Sequence, residues 1–213
     1  MLKLNLEAMA RKLYDPDNLG GISIPNFLEE ERRIAILDGI KGADLSWRRP
    51  QRREGYVFQE MDIYYFQEGF QDYWEERGVP EIEELKREFE EEFYKPLGKV
   101  AGFDGKINFT GLNHYQNGSI GITPHRDYEG DINLVSIFVL QGEAPFYVCS
   151  DRKKSNSLKL NSEPGSLILL RAARKEEEQS LRAWHYLEEV KSERYVLIFR
   201  QIESSGPDFT PVN

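Results

Sequence analysis

The chain has 213 residues, of which 39% are hydrophobic, and this is enough to form the core of one ordinary domain. Its one cysteine, Cys149, excludes disulfide frameworks, cysteine zinc ribbons and iron–sulfur clusters held by this chain alone. A formal net charge of −9 favours solubility and argues against indiscriminate adsorption to nucleic acid.

The N-terminal segment MLKLNLEAMARKLY lacks the apolar core and the cleavage pattern of a signal peptide. No apolar run elsewhere reaches the ~20 residues that span a bilayer. We therefore expect a soluble, cytoplasmic protein with no membrane partner, and we expect it to be a monomer.

A first helix is predicted after the segment ISIPNF, which itself has the pattern of a short strand and turn. Asn26 followed three residues later by Glu29 is typical of a helix start. The residues expected on the buried face of this helix are Ile34, Leu37 and Ile40. The segment 44–54 then breaks the pattern with a proline and four arginines, which predicts an exposed basic loop.

A second helix is predicted over residues 81–94. Pro80 precedes it, and apolar residues then recur at helical spacing. Pro96 is expected to end it. The outer face of this helix is rich in glutamate, so much of the net negative charge lies on one solvated surface.

From about residue 105 the sequence changes to short apolar segments separated by turn signals, which predict strands. These segments are KINFTGLNHY, SIGIT, INLVSIFVL, FYVC, SLILL and RYVLIFR. Helices followed by strands predict an α+β domain built on a β-sandwich or jelly-roll barrel, with the helices packed on one face. We expect one domain over 1–203, with helical support and a substrate lid in 1–104, a jelly-roll core in 105–203, and a flexible tail in 204–213.

Metal-binding chemistry is indicated by His125 and Asp127, which alternate on a predicted strand end and so point to one face. His185 follows later in the chain. Two imidazoles and one carboxylate are the ligand set of the facial triad of non-haem Fe(II) oxygenases, which leaves three coordination positions open. The short H-x-D pattern alone is a weak signal, and on that evidence histidines that serve the core or the surface are the more common case.

Two arginines on one strand point to a bound anion. In RYVLIFR, Arg194 and Arg200 share a face with Val196, while the alternate residues are apolar. Burying such charges is costly unless an anion meets them. Their Cα atoms lie about 20 Å apart in an extended strand, so they suit opposite ends of a small dicarboxylate. An edge strand with solvated arginines is the alternative.

In order and spacing, these motifs resemble the AlkB-like Fe(II)/2-oxoglutarate-dependent dioxygenases. The resemblance covers residues 113–200, and ISIPNFLEEERR is similar to a segment common at the start of such oxygenases. The matching residues are Asn113-His114-Tyr115, Gly118, His125-Arg126-Asp127, His185 and the arginines of RYVLIFR. The resemblance implies a double-stranded β-helix (jelly-roll) core and the cofactors Fe(II), 2-oxoglutarate and O2.

Residue by residue, the resemblance implies that His125, Asp127 and His185 ligate iron. It implies that Tyr115 and Arg194 bind the distal carboxylate of 2-oxoglutarate, and that Asn113 and Arg200 bind near its keto-acid end. His114 alternates with Asn113 and Tyr115 on the strand, so we expect it to point away from the site.

The chain departs from the family pattern at two positions. Val196 stands where members often have Asn, which removes one 2-oxoglutarate contact. Tyr186 stands where members often have Gly after the second metal histidine, and it is expected to alter the entrance of the site.

Three functions stay open at this stage: oxidative demethylation of alkylated DNA or RNA bases, hydroxylation of a protein side chain or small molecule, and non-enzymatic binding on the same scaffold. For a nucleobase substrate, Glu129 matches an acidic family position near the base. Arg48 and Arg49 in the predicted lid would attract phosphates, and Trp47 would offer a stacking surface. Charge runs are also commonly solvated loops, and aromatic residues are commonly core.

Overall fold

The structure is a computed structural model that describes residues 4–15, 17–67, 73–174 and 179–203. The predicted tail, 204–213, lies outside these ranges. Within them, no helix is long and apolar enough to cross a membrane.

The α-helices of the described residues all lie in the first half of the chain, and a 3-10 helix, Gln179–Leu181, lies in the second half. The α-helices are α1 (Leu6–Tyr14), α2 (Glu30–Gly42), α3 (Tyr73–Glu76), α4 (Pro80–Phe89) and α5 (Lys95–Ala101). A π-helical turn, Glu90–Tyr94, joins α4 to α5. The prediction that Pro96 ends the second helix is therefore wrong. Pro96 lies in the first turn of α5, where a missing N–H group is tolerated.

The predicted start of α2 at Asn26 is also wrong. Asn26 has a positive φ of 51°, which is a turn conformation, and the helix begins four residues later at Glu30. Leu37 and Ile40 are buried as predicted, together with Ile36, whereas the prediction for Ile34 is wrong because this residue is 42% exposed.

The described residues form twelve strands, numbered here in chain order. They are β1 (Gly21–Ile24), β2 (Arg53–Glu54), β3 (Val57–Phe58), β4 (Asp62–Gln67), β5 (Phe109–Tyr115), β6 (Ile122–His125), β7 (Asp131–Gln141), β8 (Phe146–Cys149), β9 (Leu158–Leu160), β10 (Leu167–Arg171), β11 (Trp184–Leu187) and β12 (Arg194–Ile202). The segments predicted as strands all contain one. His185, predicted only to follow a strand, lies on a strand of its own, β11.

Two antiparallel sheets form the core. The larger has the order β1-β10-β7-β12-β5-β4, and the smaller has the order β6-β11-β8-β9. One apolar cluster fills the space between the sheets, and a second joins the outer face of the larger sheet to the helices. This arrangement confirms the predicted α+β fold with a jelly-roll core and helices on one face.

Residues 53–58 form the β2–β3 hairpin, which falls in the segment predicted as a substrate lid and is called the lid hairpin here; it lies along the edge of β6 that does not pair with β11. The backbone N–H of Phe58 donates to Oγ1 of Thr123 at 2.9 Å, and Gln59 pairs with Ile122. The basic segment predicted as an exposed loop therefore ends in a hairpin attached to the small sheet.

The approach of β6 to β11 depends on a glycine. Gly121 has a φ of +76°, and a Cβ atom there would lie 2.1 Å from the carbonyl oxygen of Leu187. With only a hydrogen at this position, the two strands pair so that His125 stands opposite His185.

Candidate metal centre

Three potential metal ligands meet at one end of the space between the sheets. His125 ends β6, His185 lies opposite it on β11, and Asp127 follows two residues after His125. One ligand atom from each side chain lies within 4.8 Å of the others, and the two imidazole rings are 4.2 Å apart between centroids. The three side chains can therefore hold a metal ion.

Both imidazoles are oriented for coordination through Nε2. Nδ1 of His125 donates to the carbonyl oxygen of Thr123 at 2.9 Å, and Nδ1 of His185 donates to that of Ala183 at 3.1 Å. Because a carbonyl can only accept, the proton resides on Nδ1 and the lone pair of Nε2 is available to a metal. Burial, assisted by His185, lowers the pKa of His125 to about 3, so this ligand is neutral at neutral pH.

The carboxylate ligand belongs to a buried charge network. Nη2 of Arg200 donates to Oδ1 of Asp127 at 3.1 Å, and Nη1 donates to Oδ2 of Asp131 at 2.8 Å. Burial alone would raise the pKa of Asp127, but Arg200 and the two histidines lower it to about 2. Asp127 is therefore ionised and held at one oxygen, while its Oδ2 lies 3.6 Å from Nε2 of His185.

Arg194 lies in the same cavity with part of its hydrogen-bonding capacity unused. Its side chain is 0% exposed, and Nη1 donates to the carbonyl oxygens of Gly142 and Ser162, each at 3.1 Å. Nε and Nη2 have no hydrogen-bond partner, nor does Oδ1 of nearby Asn113. Burial lowers the pKa of Arg194 to about 10, which still leaves it charged at neutral pH. A buried cation with two free N–H groups is a site for an anion.

One cavity of about 540 Å³ contains these groups. Its lining includes both arginines, the three potential ligands, Asn113, Tyr115 and Val196, and on the lid side Arg48, Pro50, Glu54, Val57, Gln59 and Met61. The alternation predicted for β12 is thus observed, because Leu197 and Phe199 lie in the opposite cluster with the helices.

Three of the residues predicted to contact substrate are absent from this lining in the described part of the chain. Trp47 packs in the outer cluster against Tyr64, His114 and Tyr195. Arg49 forms an ion pair with Asp62 at 2.7 Å.

The third, Glu129, has a side chain that is 78% exposed and lies 3.6 Å from Arg182. His114 points away from the cavity and stacks on Tyr195 at 4.3 Å, the orientation that strand alternation predicts. Tyr186 is buried, stacks on Tyr147 and donates to Ser157, so it lies on the face of β11 opposite the cavity and does not narrow the entrance.

Two residues of the site have a role in its geometry that the sequence reasoning did not assign. Tyr65 lines the cavity, while its neighbours Tyr64 and Phe66 belong to the outer cluster. Strand alternation along DIYYFQ would have separated them. Asp131, the first residue of β7, had no predicted role, and it forms a buried ion pair with Arg200.

We predict that Asp131 maintains the geometry of Asp127 through Arg200. Asp131→Ala leaves Arg200 with a single carboxylate, so it should lower the unfolding free energy by about 3–5 kcal/mol and weaken Co(II) binding by about 10–100-fold. Asp131→Asn keeps an acceptor oxygen, so its unfolding free energy and its Co(II) affinity should lie between those of Asp131→Ala and the wild type. Urea unfolding and the visible absorption of bound Co(II) measure the two effects.

Asn108→Ala is the matched control, because Asn108 hydrogen-bonds Ile202 at the same end of β12 without contacting the site. It should lose stability and retain Co(II) affinity. Wild-type Co(II) affinity in Asp131→Ala would refute the positioning role.

The fold is shared with known oxygenases. A prolyl hydroxylase from Trichoplax adhaerens, in complex with a peptide fragment of the hypoxia inducible factor oxygen degradation domain, matches with a TM-score of 0.63 and 13% identity over 95% of this chain and 94% of that one. An oxidoreductase of the 2OG-Fe(II) oxygenase family from Burkholderia pseudomallei matches with a TM-score of 0.61 and 12% identity over 99% and 96%. OsALKBH1 matches with a TM-score of 0.56 and 17% identity, over 85% of this chain and 98% of that one. No protein-family model and no curated protein matches the sequence.

Proposed function

We propose that this chain is an Fe(II)- and 2-oxoglutarate-dependent dioxygenase that oxidises a C–H bond of its substrate. The observation that carries the proposal is the combination of a His-Asp-His cluster and a buried, partly unpartnered arginine in a single cavity. The metal cluster alone, or the arginine alone, would fit many other proteins. The shared fold with 2OG-Fe(II) oxygenases supports the same interpretation.

The donor set fits the cofactors. Nε2 of His125, Nε2 of His185 and one oxygen of Asp127 would hold Fe(II), and such a set leaves coordination positions for a chelating keto acid and for dioxygen. With 2-oxoglutarate and O2, the iron supplies oxidation of a C–H bond to C–OH, while the keto acid is converted to succinate and carbon dioxide.

The residues of this chain bind and orient the reactants. The free Nε and Nη2 groups of Arg194 would donate to the distal carboxylate of 2-oxoglutarate, beside the buried hydroxyl of Tyr115. Asn113 would donate from its side-chain Nδ2–H group near the keto-acid end. Arg200 would lie at the same end of the keto acid. Its guanidinium group already donates to the carboxylates of Asp127 and Asp131, so its main role is to orient Asp127. The lid hairpin closes one side of the cavity and limits the access of water.

For the substrate, we propose an alkylated base of DNA or RNA, which would be demethylated through a hydroxymethyl product that releases formaldehyde. Arg48 and Arg126 in the cavity lining, and the resemblance of the sequence motifs to the AlkB-like dioxygenases, support this class. Hydroxylation of a protein side chain or small molecule is the second candidate, favoured by the match to the peptide-bound prolyl hydroxylase. An intact ligand set argues against a purely non-enzymatic binding module.

The test is a succinate-coupled screen of protein loaded anaerobically with Fe(II). Alkylated single-stranded DNA and RNA, peptides and free metabolites are supplied with 2-oxoglutarate before air is admitted. We expect succinate to form in proportion to product, together with formaldehyde when an N-methyl group is oxidised. Succinate with a peptide or metabolite but not with nucleic acid would favour the second candidate. Failure to bind 2-oxoglutarate in the presence of metal would refute the dioxygenase proposal itself.

A further inference from the structure

One wall of the cavity is formed by alternate residues of the segment that runs from the lid hairpin into β4. The side chains in this row are those of Val57, Gln59, Met61, Ile63 and Tyr65. Two residues that alternate with them lie elsewhere, since Phe58 is 41% exposed and Tyr64 belongs to the outer cluster. Alternation therefore shows that the side chain of Gln59 points into the cavity.

Gln59 places a polar amide between two apolar neighbours of this row, Val57 and Met61, and it is only 8% exposed. Its Nε2 donates to the carbonyl oxygen of Gln51 at 3.1 Å. Because a carbonyl can only accept, the amide nitrogen faces Gln51 and Oε1 faces the other way. Oε1 accepts no hydrogen bond from the described residues, although it keeps accessible surface. Since a buried carbonyl oxygen is costly to leave unpaired, this orientation indicates a donor on a ligand.

Glu54 offers a second acceptor on the lid hairpin. It lines the cavity, and in the described part of the chain its carboxylate forms neither an ion pair nor a hydrogen bond. The other carboxylate of the lining, Asp127, is engaged by Arg200. Arg48 lines the same side of the cavity but donates to neither Glu54 nor Gln59. The lid side thus presents two acceptor groups to which the described residues supply no donor.

We propose that Gln59 determines substrate specificity by accepting a hydrogen bond from an N–H group of the substrate, and that Glu54 favours donors that carry positive charge. This inference rests on the proposed function and narrows its substrate to alkylated bases with an exocyclic amino group. An amino group would donate to Oε1 of Gln59, whereas the oxo group that replaces it in other bases would set one acceptor against another. A site built around a hydrogen bond to its substrate rejects analogues without the donor, because the buried partner stays unpaired.

The role of Gln59 is tested with two nucleotides that differ in this group, the 5′-monophosphates of N1-methyladenosine (amino) and N1-methylinosine (oxo). Titration calorimetry measures their binding to the full-length protein, first metal-free and then with Co(II) and 2-oxoglutarate. The wild type should bind the amino compound at least about 10-fold more tightly than the oxo compound. Gln59→Met keeps the length of the side chain but has no amide, so it should lower this ratio by about 10-fold. Gln59→Glu keeps an acceptor oxygen and should still prefer the amino compound.

The ratio of the two affinities separates recognition from a structural role. If Gln59 only tied the lid hairpin to Gln51, Gln59→Met would weaken both compounds equally and leave the ratio unchanged. Glu54→Gln should weaken the amino compound, whose methylated base is cationic, by about 3–10-fold and leave the oxo compound unaffected. Gln116→Met is the matched control, because Gln116 is exposed and lies outside the cavity lining. It should leave both affinities unchanged.

Three results would overturn the role of Gln59: equal affinity of the wild type for both compounds, no detectable binding of the amino compound, or a wild-type ratio in Gln59→Met. Because the first titration needs neither metal nor 2-oxoglutarate, its outcome is separate from that of the dioxygenase proposal. Discrimination without succinate formation would support the role of Gln59 and remove the oxidation. Succinate formation without discrimination would support the oxidation and remove the role of Gln59.

Discussion

Replacing His125 with alanine is expected to abolish iron-dependent succinate formation. The change removes one of three groups that surround the metal position, and the remaining histidine and aspartate cannot complete the facial set. Loss of an outer partner of a metal ligand already costs about 10–100-fold, so loss of a ligand itself should cost more than about 100-fold in Fe(II)-dependent turnover. Asp127→Ala should have an effect of the same size. Succinate release and Co(II) absorption measure activity and metal binding separately.

The control for this experiment is the histidine of the chain that lies outside the metal cluster, His114. His114 lies on β5 but points to the opposite face, where it contacts Tyr195 and Glu193. His114→Ala should therefore retain most of the wild-type turnover. If His125→Ala or Asp127→Ala kept wild-type activity, or if His114→Ala alone lost it, the metal centre would have to be sought elsewhere.

Replacing Arg194 with methionine is expected to remove 2-oxoglutarate binding while leaving metal binding intact. Two free N–H groups of a buried cation would each contribute about 1.5–3 kcal/mol to a bound carboxylate. Their loss corresponds to an increase of at least about 100-fold in the dissociation constant for 2-oxoglutarate. Titration calorimetry with 2-oxoglutarate and Co(II) absorption give the two affinities.

The fold should tolerate this change. Methionine fills much of the same volume, and the loss of the hydrogen bonds to Gly142 and Ser162 is partly offset because no unpaired charge is buried. We expect the unfolding free energy to fall by no more than about 2 kcal/mol. Arg171→Met is the control, since Arg171 is also buried and also donates to backbone carbonyls, but lies outside the cavity lining. Equal 2-oxoglutarate affinity in the Arg194→Met and wild-type proteins would contradict the assignment.

The strands and the metal cluster could be predicted because each depends on a simple periodicity. Alternation on β12 places Arg194 and Arg200 on the face opposite Leu197 and Phe199, and alternation on β5 turns His114 away from Asn113. A spacing of two residues places His125 and Asp127 on one side of a strand end. Local geometry was enough in these cases.

The features that escaped prediction depend on contacts between distant segments or on backbone conformations without a clear pattern. The continuation of the helix past Pro96 requires a π-helical turn, for which the sequence has no distinctive signal. Trp47 resembles a stacking residue in a basic loop, yet its position is decided by a cluster formed with β4, β5 and β12. The role of Asp131 depends on its contact with Arg200, which lies 69 residues away in the chain.

The contact between the lid hairpin and β6 and the contact that orients a potential metal ligand lie on the same residue, Thr123. Thr123 accepts the N–H of Phe58 with its hydroxyl group and the Nδ1–H of His125 with its carbonyl group. Two hydrogen bonds on one residue therefore join the edge of the cavity to the ring of a potential metal ligand. A displacement of the hairpin and a rotation of the imidazole would both act on the backbone around Thr123.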